Sequence, residues 1–273
     1  MNNLLVRTLT GIVFGISVIG SILVSHYLFS LLFLVITIFA LIEFYKLISS
    51  GIEAHVQKTT GVVLGAILFI TSALASLSLI KVNLISVNLL FIGLIFIIEM
   101  YRKKPNPLLN ISLTLAGIFY IALPFSLLNF FFSPDFQLSN ENPDILMGFF
   151  FILWTYDTFA YLTGVLFGKH RLFERISPKK SWEGSIGGFV FGLLTTWVVS
   201  YFFKEFDLLN WLAIASIIMI FGTFGDLVES LFKRSLNVKD SGNILPGHGG
   251  LLDRFDAVLL AAPAVFVYLI LIK

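Results

Sequence analysis

Residues 230–256 read SLFKRSLNVKDSGNILPGHGGLLDRFD and separate two apolar runs. Only 12% of the 273 residues are charged, so this density of charge sets the stretch apart from its surroundings. Lys and Arg neutralise phosphate oxygens, and Arg can do so through two parallel hydrogen bonds. Glycines let the main chain approach a ligand closely, and Asp carboxylates are the hard oxygen donors that Mg²⁺ prefers. The stretch therefore predicts a site for phosphate groups and a divalent cation.

The composition excludes a soluble domain. The chain is 58% hydrophobic with a mean hydropathy of +0.96, whereas ordinary globular chains are about 45–50% apolar and about 25% charged. Runs of about 18 or more apolar residues recur along the chain, and each is long enough to cross a bilayer. The chain has no cysteine, which excludes disulfides and thiol chemistry.

We predict an all-α, polytopic integral membrane protein with about nine transmembrane helices. The first span carries Arg7 and an apolar core, as signal peptides do, but no small-residue cleavage site follows, so we expect it to remain as a helix. By motif content, residues 1–140 form the N-terminal membrane helices, and residues 141–273 form a catalytic membrane region with loops at 169–183 and 231–256. The predicted spans are 8–25, 27–48, 59–80, 84–101, 108–132, 145–168, 184–203, 208–230 and 257–272.

The distribution of basic residues predicts the orientation. Lys and Arg are enriched in the cytoplasmic loops of membrane proteins. With nine spans, 15 of the 18 Lys and Arg residues fall on the side of the N-terminus and of the 231–256 loop, and Lys81, Lys204 and Lys273 fall on the other. We therefore expect the N-terminus and the charged stretch to face the cytoplasm.

Helical spacing groups several of the charged residues. Ser230 follows Asp226 by four residues and Lys233 follows it by seven, so the three form one stripe on a helix. Asp253 and Asp256 are three residues apart and share a face in the same way. A carboxylate inside a span is costly and is a functional candidate by default. Simpler explanations stay open, namely a pair of Asp226 with Lys233 at a helix end that reaches water, and N-capping by the two later acids.

Residues 230–256 resemble the signature of the phosphatidate cytidylyltransferases, the integral-membrane enzymes that make CDP-diacylglycerol. The signature fixes Lys-Arg, Lys-Asp, His-Gly-Gly and Asp-Arg groups at set spacings, and this chain departs from it nowhere. A pattern of this length is far more specific than a lone glycine-rich turn. The matching positions are Ser230, Lys233, Arg234, Lys239, Asp240, His248, Gly249, Gly250, Asp253, Arg254 and Asp256.

A second element of the same family is matched upstream, in the sixth span and the loop after it. It is independent of the first, whereas the N-terminal half of the chain resembles the family in hydropathy alone. The matching positions are Asp157, Thr158, Ala160, Tyr161, Gly164, Gly168, Lys169 and His170, followed by Ser177, Pro178, Lys180, Ser181, Trp182, Glu183 and Gly184.

The resemblance implies the reaction of CTP with phosphatidate to give CDP-diacylglycerol and pyrophosphate. It also implies an Mg²⁺ ion held by Asp226 and Asp253, with Asp256 as a third ligand or as a neighbour of the ligands. Asp157 could hold a second cation or only pair with a basic residue. The residues expected to act in catalysis are Asp226, Lys233, Arg234, Asp253 and Asp256. Those expected to bind substrate are Asp157, Ser177, Lys179, Lys180, Ser230, Lys239, Asp240, His248, Gly249, Gly250 and Arg254.

Several of these residues have a simpler explanation. His248 either contacts a phosphate or nucleotide or only lies in a tight turn. Lys179 and Lys180 could be ordinary basic residues of a cytoplasmic loop, and Trp182 could stack on a base or only mark the membrane interface.

Other functions stay open on the sequence alone. A transporter would explain nine spans with intramembrane acids, but it does not require the charged stretch, and no broken-helix inverted repeat is apparent. A CTP-dependent polyprenol kinase would release CDP, and the complete signature is not expected of it. A CDP-alcohol phosphotransferase lacks support because its paired Asp-Gly and Ala-Arg pattern is missing. We expect CTP, phosphatidate and the bilayer as partners, no nucleic acid, and a bacterial-type plasma (inner) membrane location; a homodimer stays open.

Overall fold

The computed structural model describes residues 3–132, 143–242 and 249–272, with side chains from residue 10 onward. Most of these residues are helical, and one short hairpin supplies the strands of the described ranges. The helices are α1 (Asn3–Val24), α2 (His26–Gly51), α3 (Lys58–Ser76), α4 (Asn88–Arg102), α5 (Pro107–Gly117), α6 (Leu123–Leu128), α7 (Asp144–Phe167), α8 (Trp182–Phe202), α9 (Leu208–Ser235) and α10 (Leu252–Leu271).

Eight helical segments in the described ranges are long and apolar enough to cross a bilayer. The chain is therefore an integral membrane protein, and the predicted all-α, polytopic fold is confirmed. In this count, α4 includes the 3₁₀ turn before it, and α5 and α6 form one segment through a π-helical turn. The described apolar part of α1, Thr10–Val24, is shorter than a full span. The ninth predicted span, 8–25, and the cytoplasmic N-terminus stay predictions.

The C-terminal end of α9 and the N-terminal end of α10 both extend further into the signature than the hydropathy predicts. α9 ends at Ser235, whereas the apolar run ends at 230, and α10 begins at Leu252, whereas the predicted span begins at 257. The polar end of α9 contains an ion pair one helical turn apart, between Glu229 and Lys233. Pairs at this spacing support a helix that has left its apolar stretch.

The predicted loop at 169–183 contains an antiparallel hairpin of β1 (Arg171–Phe173) and β2 (Ser177–Ser181). Arg171 lies opposite Ser181, and Phe173 lies opposite Ser177. The strands are short and mostly polar, so they lack the apolar alternation by which strands are recognised in a sequence.

The chain packs as two compact units. Unit 1 comprises Met1–Phe130 and Ser235–Phe255, and unit 2 comprises Phe131–Arg234 and Asp256–Lys273. The signature therefore contributes residues to each unit. The division at residue 140, drawn from motif content, stays a prediction about function.

An aromatic cluster forms the core of unit 1. Phe255, from the signature, is 1% exposed. Its ring makes edge contacts with those of Phe14, Phe33 and Phe125 at centroid distances of 5.2, 5.6 and 5.2 Å. Phe33 also stacks on Phe29 at 4.3 Å. The contacts fix the first turn of α10 against α1, α2 and α6.

A second buried group in unit 1 surrounds Glu99 of α4, which is 3% exposed. Its carboxylate accepts hydrogen bonds from Arg102 Nη1 at 2.6 Å, Gln57 Nε2 at 2.8 Å and Asn110 Nδ2 at 2.6 Å. A guanidinium and two amides thus compensate the charge of this intramembrane acid, as buried charges require.

In unit 2, glycines bring α8 close to α7. Gly184, Gly188 and Gly192 recur every four residues and are buried on one face of α8. A Cβ on Gly188 would lie 2.8 Å from the Cβ of Ala160 and 2.8 Å from the carbonyl oxygen of Tyr156. Small residues at this spacing permit the close helix contacts that drive association in membranes.

This close contact can be tested with Gly188→Ala. Because the added methyl has no room, we expect a loss of about 1–3 kcal/mol of stability, measured as a lower apparent melting temperature in detergent. The matched control is Gly93→Ala in α4, where a Cβ meets no described atom within 4 Å outside its own helix turn. It should be neutral or should gain up to about 1 kcal/mol from helix propensity. Equal melting temperatures for the two variants would contradict the packing.

Candidate active site

Four carboxylates gather in unit 2 with two lysines. The carboxylates are those of Asp157 on α7, Asp226 and Glu229 on α9, and Asp256 on α10, and the lysines are Lys180 on β2 and Lys233 on α9. We call these six residues the carboxylate cluster. Five of them were predicted as site residues: Asp157 and Lys180 from the upstream element, Lys233 and Asp256 from the signature, and Asp226 from its helical spacing to the signature.

Asp226 is joined to the hairpin by an ion pair. Its Oδ2 lies 2.7 Å from Lys180 Nζ, and its Oδ1 accepts a hydrogen bond from Ser230 Oγ at 3.3 Å. Lys233, on the stripe predicted to include Asp226 and Ser230, pairs with Glu229, whose side chain is buried. The simpler explanation was that Asp226 only pairs with Lys233. The ion pair shown for Asp226 is instead with Lys180, and the one shown for Lys233 is with Glu229.

Lys180 is held in place by the start of α8. The next residue, Ser181, is the N-cap of α8 and accepts the N–H of Gly184 at 3.1 Å. Glu183 accepts a hydrogen bond from the main-chain N–H of Lys169 at 3.1 Å and lies 2.6 Å from His170 Nδ1, which ties the connection between α7 and β1 to the first turn of α8. The second matched motif thus builds the support on which Lys180 is presented.

Asp157 and Asp256 add two further carboxyl groups to the cluster. Electrostatic interactions link Asp157 to Lys180 and Asp226, and link Asp256 to Asp226, Glu229 and Asp157. Gly225 allows this approach, because a Cβ there would overlap the carbonyl oxygen of Asp256. When all four carboxyl groups are ionised, they outnumber the two ammonium groups and leave an excess of negative charge.

In unit 1, the signature wraps around a residue that the motifs did not include. Glu43 on α2 is 4% exposed. Its carboxylate accepts the main-chain N–H groups of Leu251 at 3.0 Å and Leu252 at 3.1 Å, and the hydroxyl of Ser241. Asp253 Oδ2 accepts the N–H of Ser241 at 3.1 Å, its hydroxyl at 3.1 Å, and the N–H of Gly250 at 2.9 Å. We call Glu43, Ser241, Gly250 and Asp253 the Glu43 network.

The N–H groups that Asp253 accepts belong to residues before α10, not to the first turn of the helix, so these contacts are not those of an N-cap, and a role for Asp253 in the site stays open. Gly249 has φ +82°, a conformation that favours glycine, and a Cβ there would lie 2.8 Å from Asp253 Oδ2. The His-Gly-Gly group thus needs both glycines for the main chain to pass close to two carboxylates.

The remaining predicted residues are mostly on the surface. Ser177 is partly buried at the start of β2. His248 lies outside the described residues. The exposed residues are Lys179, Arg234, Lys239, Asp240 and Arg254.

An open cleft of about 740 Å³ lies beside the hairpin in unit 2. Its lining includes Lys169, His170, Arg171 and Trp182, and the Trp182 side chain is 55% exposed. Basic groups beside an exposed indole suit an anionic ligand with a flat apolar part, so the two explanations of Trp182 stay open.

The oxygen donors of the carboxylate cluster can be compared with those that Mg²⁺ usually has in proteins. In the described ranges, no group of three or more His, Cys, Asp or Glu side chains is arranged as a metal site. Mg²⁺, however, is usually held by one or two carboxylates together with substrate phosphates and waters. Asp226 and Asp256, hard oxygen donors in a cluster with excess negative charge, fit this pattern.

Sequence reasoning missed Glu43 and Ser241. A signal was present for Glu43, because a lone acid in an apolar helix is a functional candidate by default. Its contacts reach residues 198 to 209 positions away in the chain, so local spacing could not identify its partners.

Comparison with known proteins supports the assignment of a family. A family model described as "Cytidylyltransferase family" matches residues 5–272. The phosphatidate cytidylyltransferase of Staphylococcus haemolyticus (strain JCSC1435) is 50% identical over 123 residues, 44% of this chain and 47% of the relative. That of Staphylococcus saprophyticus (strain ATCC 15305) is 41% identical over 158 residues, 57% of this chain and 58% of the relative. That of Rickettsia prowazekii (strain Madrid E) is 40% identical over 164 residues, 58% of this chain and 70% of the relative.

These alignments with the first relatives span about half of the relatives' length. The family model, in contrast, covers almost all of the chain, including the carboxylate cluster and the Glu43 network. The chain belongs to the cytidylyltransferase family.

Proposed function

We propose that the protein transfers the cytidylyl group of CTP to phosphatidate, forming CDP-diacylglycerol and releasing pyrophosphate. The observation that carries the proposal is the carboxylate cluster, with its Asp226–Lys180 ion pair, in an apolar membrane protein of this family. The relatives named phosphatidate cytidylyltransferase support the same reaction and do not favour a polyprenol kinase or a transporter.

The reaction itself explains why charged groups are needed. An oxygen of the phosphatidate phosphate attacks the α-phosphorus of CTP, and the bond from that phosphorus to the bridging oxygen of the β-phosphate breaks. Pyrophosphate leaves with the electron pair. The attacking oxygen is already anionic, so the main obstacle is repulsion between two polyanions. At 4 Å and an effective dielectric constant of 20, each pair of unit charges contributes about 4 kcal/mol.

The cluster offers both signs of charge for this task. Lys180 and Lys233 are held by Asp226 and Glu229, so their ammonium groups are oriented before a substrate arrives. Asp226 and Asp256 would hold Mg²⁺, which when bound would neutralise phosphate oxygens where charge develops. Lys180 would then turn from Asp226 to a phosphate. The third predicted ligand, Asp253, and a second cation at Asp157 rest on the family resemblance alone.

The other predicted residues would extend the binding of substrate. Arg234, Lys239, Arg254 and Lys179 are exposed cations that could neutralise phosphates of CTP or of the lipid. The site would face the cytoplasm of a bacterial-type cell, where CTP is found, as the distribution of basic residues supports. The acyl chains of phosphatidate would remain in the bilayer.

The reaction is tested by product analysis with the purified protein in detergent. With Mg²⁺, phosphatidate and CTP labelled at the α-phosphate, we expect label in the lipid and release of pyrophosphate. CTP labelled at the γ-phosphate should leave the lipid unlabelled. No α-label in lipid would overturn the proposal, and γ-label in a polyprenol would identify a kinase.

The role of Asp226 is tested by Asp226→Asn. Loss of the carboxylate should remove a cation ligand and free Lys180, and we expect the rate to fall at least about 100-fold. The matched control is Asp207→Asn, just before the same helix, where the side chain accepts the N–H of Asn210 at 2.8 Å. Asn caps helices as well as Asp does, so this variant should keep its rate within about twofold. A near-normal rate for Asp226→Asn would remove Asp226 from the mechanism.

Removal of divalent cations should abolish transfer. With EDTA in excess we expect the initial rate to fall to background, because the excess negative charge of the cluster would repel the triphosphate. Added Mg²⁺ should restore the rate, with half-activation at a higher concentration in Asp256→Asn than in the wild type. Full activity in EDTA would show that lysines and arginines alone suffice.

A further inference from the structure

Glu43 is a costly residue for α2 to carry. It follows Leu41 and Ile42 and precedes Phe44 and Tyr45 in a helix long enough to span the membrane. The side chain is 4% exposed. An acid in such a position needs hydrogen-bond donors that compensate its charge.

All three donors shown for Glu43 come from one distant segment, the signature. They are the N–H groups of Leu251 and Leu252 and the hydroxyl of Ser241. The two N–H groups belong to the start of α10, where N–H groups have no partner within the helix and the helix dipole favours an anion. Glu43 therefore satisfies donors that α10 cannot satisfy itself.

The main chain of the signature is shaped to receive this carboxylate. A Cβ on Gly242 would lie 2.8 Å from Glu43 Oε2, and one on Gly250 would overlap Glu43 Oε1 and the Ser241 hydroxyl. Neither position has room for a side chain. The glycines let two separate parts of the segment close around one side chain of α2.

The same contacts fix Asp253. The main-chain N–H groups of Ser241 and Gly250 donate to Asp253 Oδ2 at 3.1 and 2.9 Å, and the Ser241 hydroxyl oxygen lies 3.1 Å from the same atom. The hydroxyl of Ser241 lies against both carboxylates, and a hydroxyl has one proton to donate. Displacement of Glu43 would therefore alter the donors that orient Asp253.

We propose that Glu43 is a positioning residue that clamps the start of α10 and the Ser241 turn, and so orients the Asp253 carboxylate for cytidylyl transfer. Glu43 acts through Asp253 and does not touch the substrate. The catalytic consequence rests on the proposed function, whereas the clamp itself does not.

Glu43→Gln tests the clamp against a matched control, Glu99→Gln. Both acids are buried in membrane helices of unit 1, at 4% and 3% exposure, and both accept three hydrogen bonds. The partners of Glu99 lie outside the signature. Misplacement of a catalytic group by about 1 Å can cost about 100-fold in rate. We expect kcat to fall about 100-fold in Glu43→Gln, with the KM for CTP within about threefold, and both to stay near wild type in Glu99→Gln.

A second readout does not depend on activity. The chain has no cysteine, so Leu251→Cys would introduce a single thiol at a position that is 6% exposed. In this background, Glu43→Gln should raise the rate of maleimide labelling at least about tenfold, because loosening exposes the segment. Glu99→Gln should leave the labelling rate unchanged.

The outcomes separate the clamp from the proposed function. If the wild type transfers no cytidylyl group, the proposed function fails, and the labelling rates still decide whether Glu43 clamps the segment. Unchanged labelling in Glu43→Gln, or equal losses of kcat in the two Gln variants, would overturn the clamp. If Glu43→Gln does not fold, Ser241→Ala removes the shared hydroxyl and should lower kcat about tenfold; a wild-type kcat there would also overturn it.

Discussion

A carboxylate in an apolar helix is tolerated only where donors or cations meet it, and this constraint governs how the protein is built. Glu99 is met by a guanidinium and two amides, and Glu43 by two main-chain N–H groups and a hydroxyl. In each case every donor shown comes from the protein. These two acids of unit 1 are therefore engaged in holding its segments together.

In unit 2, by contrast, several acidic side chains lie close to one another. Asp226 and Glu229 each pair with a lysine, but Asp157 and Asp256 bring further negative charge to the same place. Like charges in a poorly solvated site are unfavourable. Such a cluster gains from any cation that binds it. In the proposed reaction, the group of carboxylates that is costly without substrate would therefore favour the complex with Mg²⁺ and CTP.

Much of the fold follows from local sequence. Hydropathy located the membrane helices in the described ranges, because a span must be apolar over its whole length whatever it packs against. It missed the hairpin at 171–181, whose strands are too short and polar for an alternating pattern. It also placed the ends of α9 and α10 about one turn too far from the signature, because charged residues there continue the helices beyond the bilayer.

The site was predictable as a set of residues but less so as a set of contacts. Helical spacing identified Asp226 and a family motif identified Lys180, and the fold joins the two residues, which are 46 positions apart in the chain. Glu43 was visible as an acid in an apolar helix, yet its partners lie about 200 positions away. Motifs locate groups that bind common ligands, because those groups cluster in the chain. The residues that orient them need only be close in space.

Two glycines show how residues that are distant in the sequence come close in space. Gly225 and Gly250 belong to different units. Each lies where the main chain packs directly against an acidic residue, Asp256 for Gly225 and Glu43 for Gly250, so that a side chain would have no room. At both positions a Cβ would overlap an oxygen atom. Each of these two glycines therefore marks a place where the chain comes close to a residue with a carboxylate side chain, even when that residue is far away in the sequence. The side chain that Gly250 lacks would occupy the space that the Glu43 carboxylate fills, so the fold needs the two residues together although they lie in distant parts of the chain.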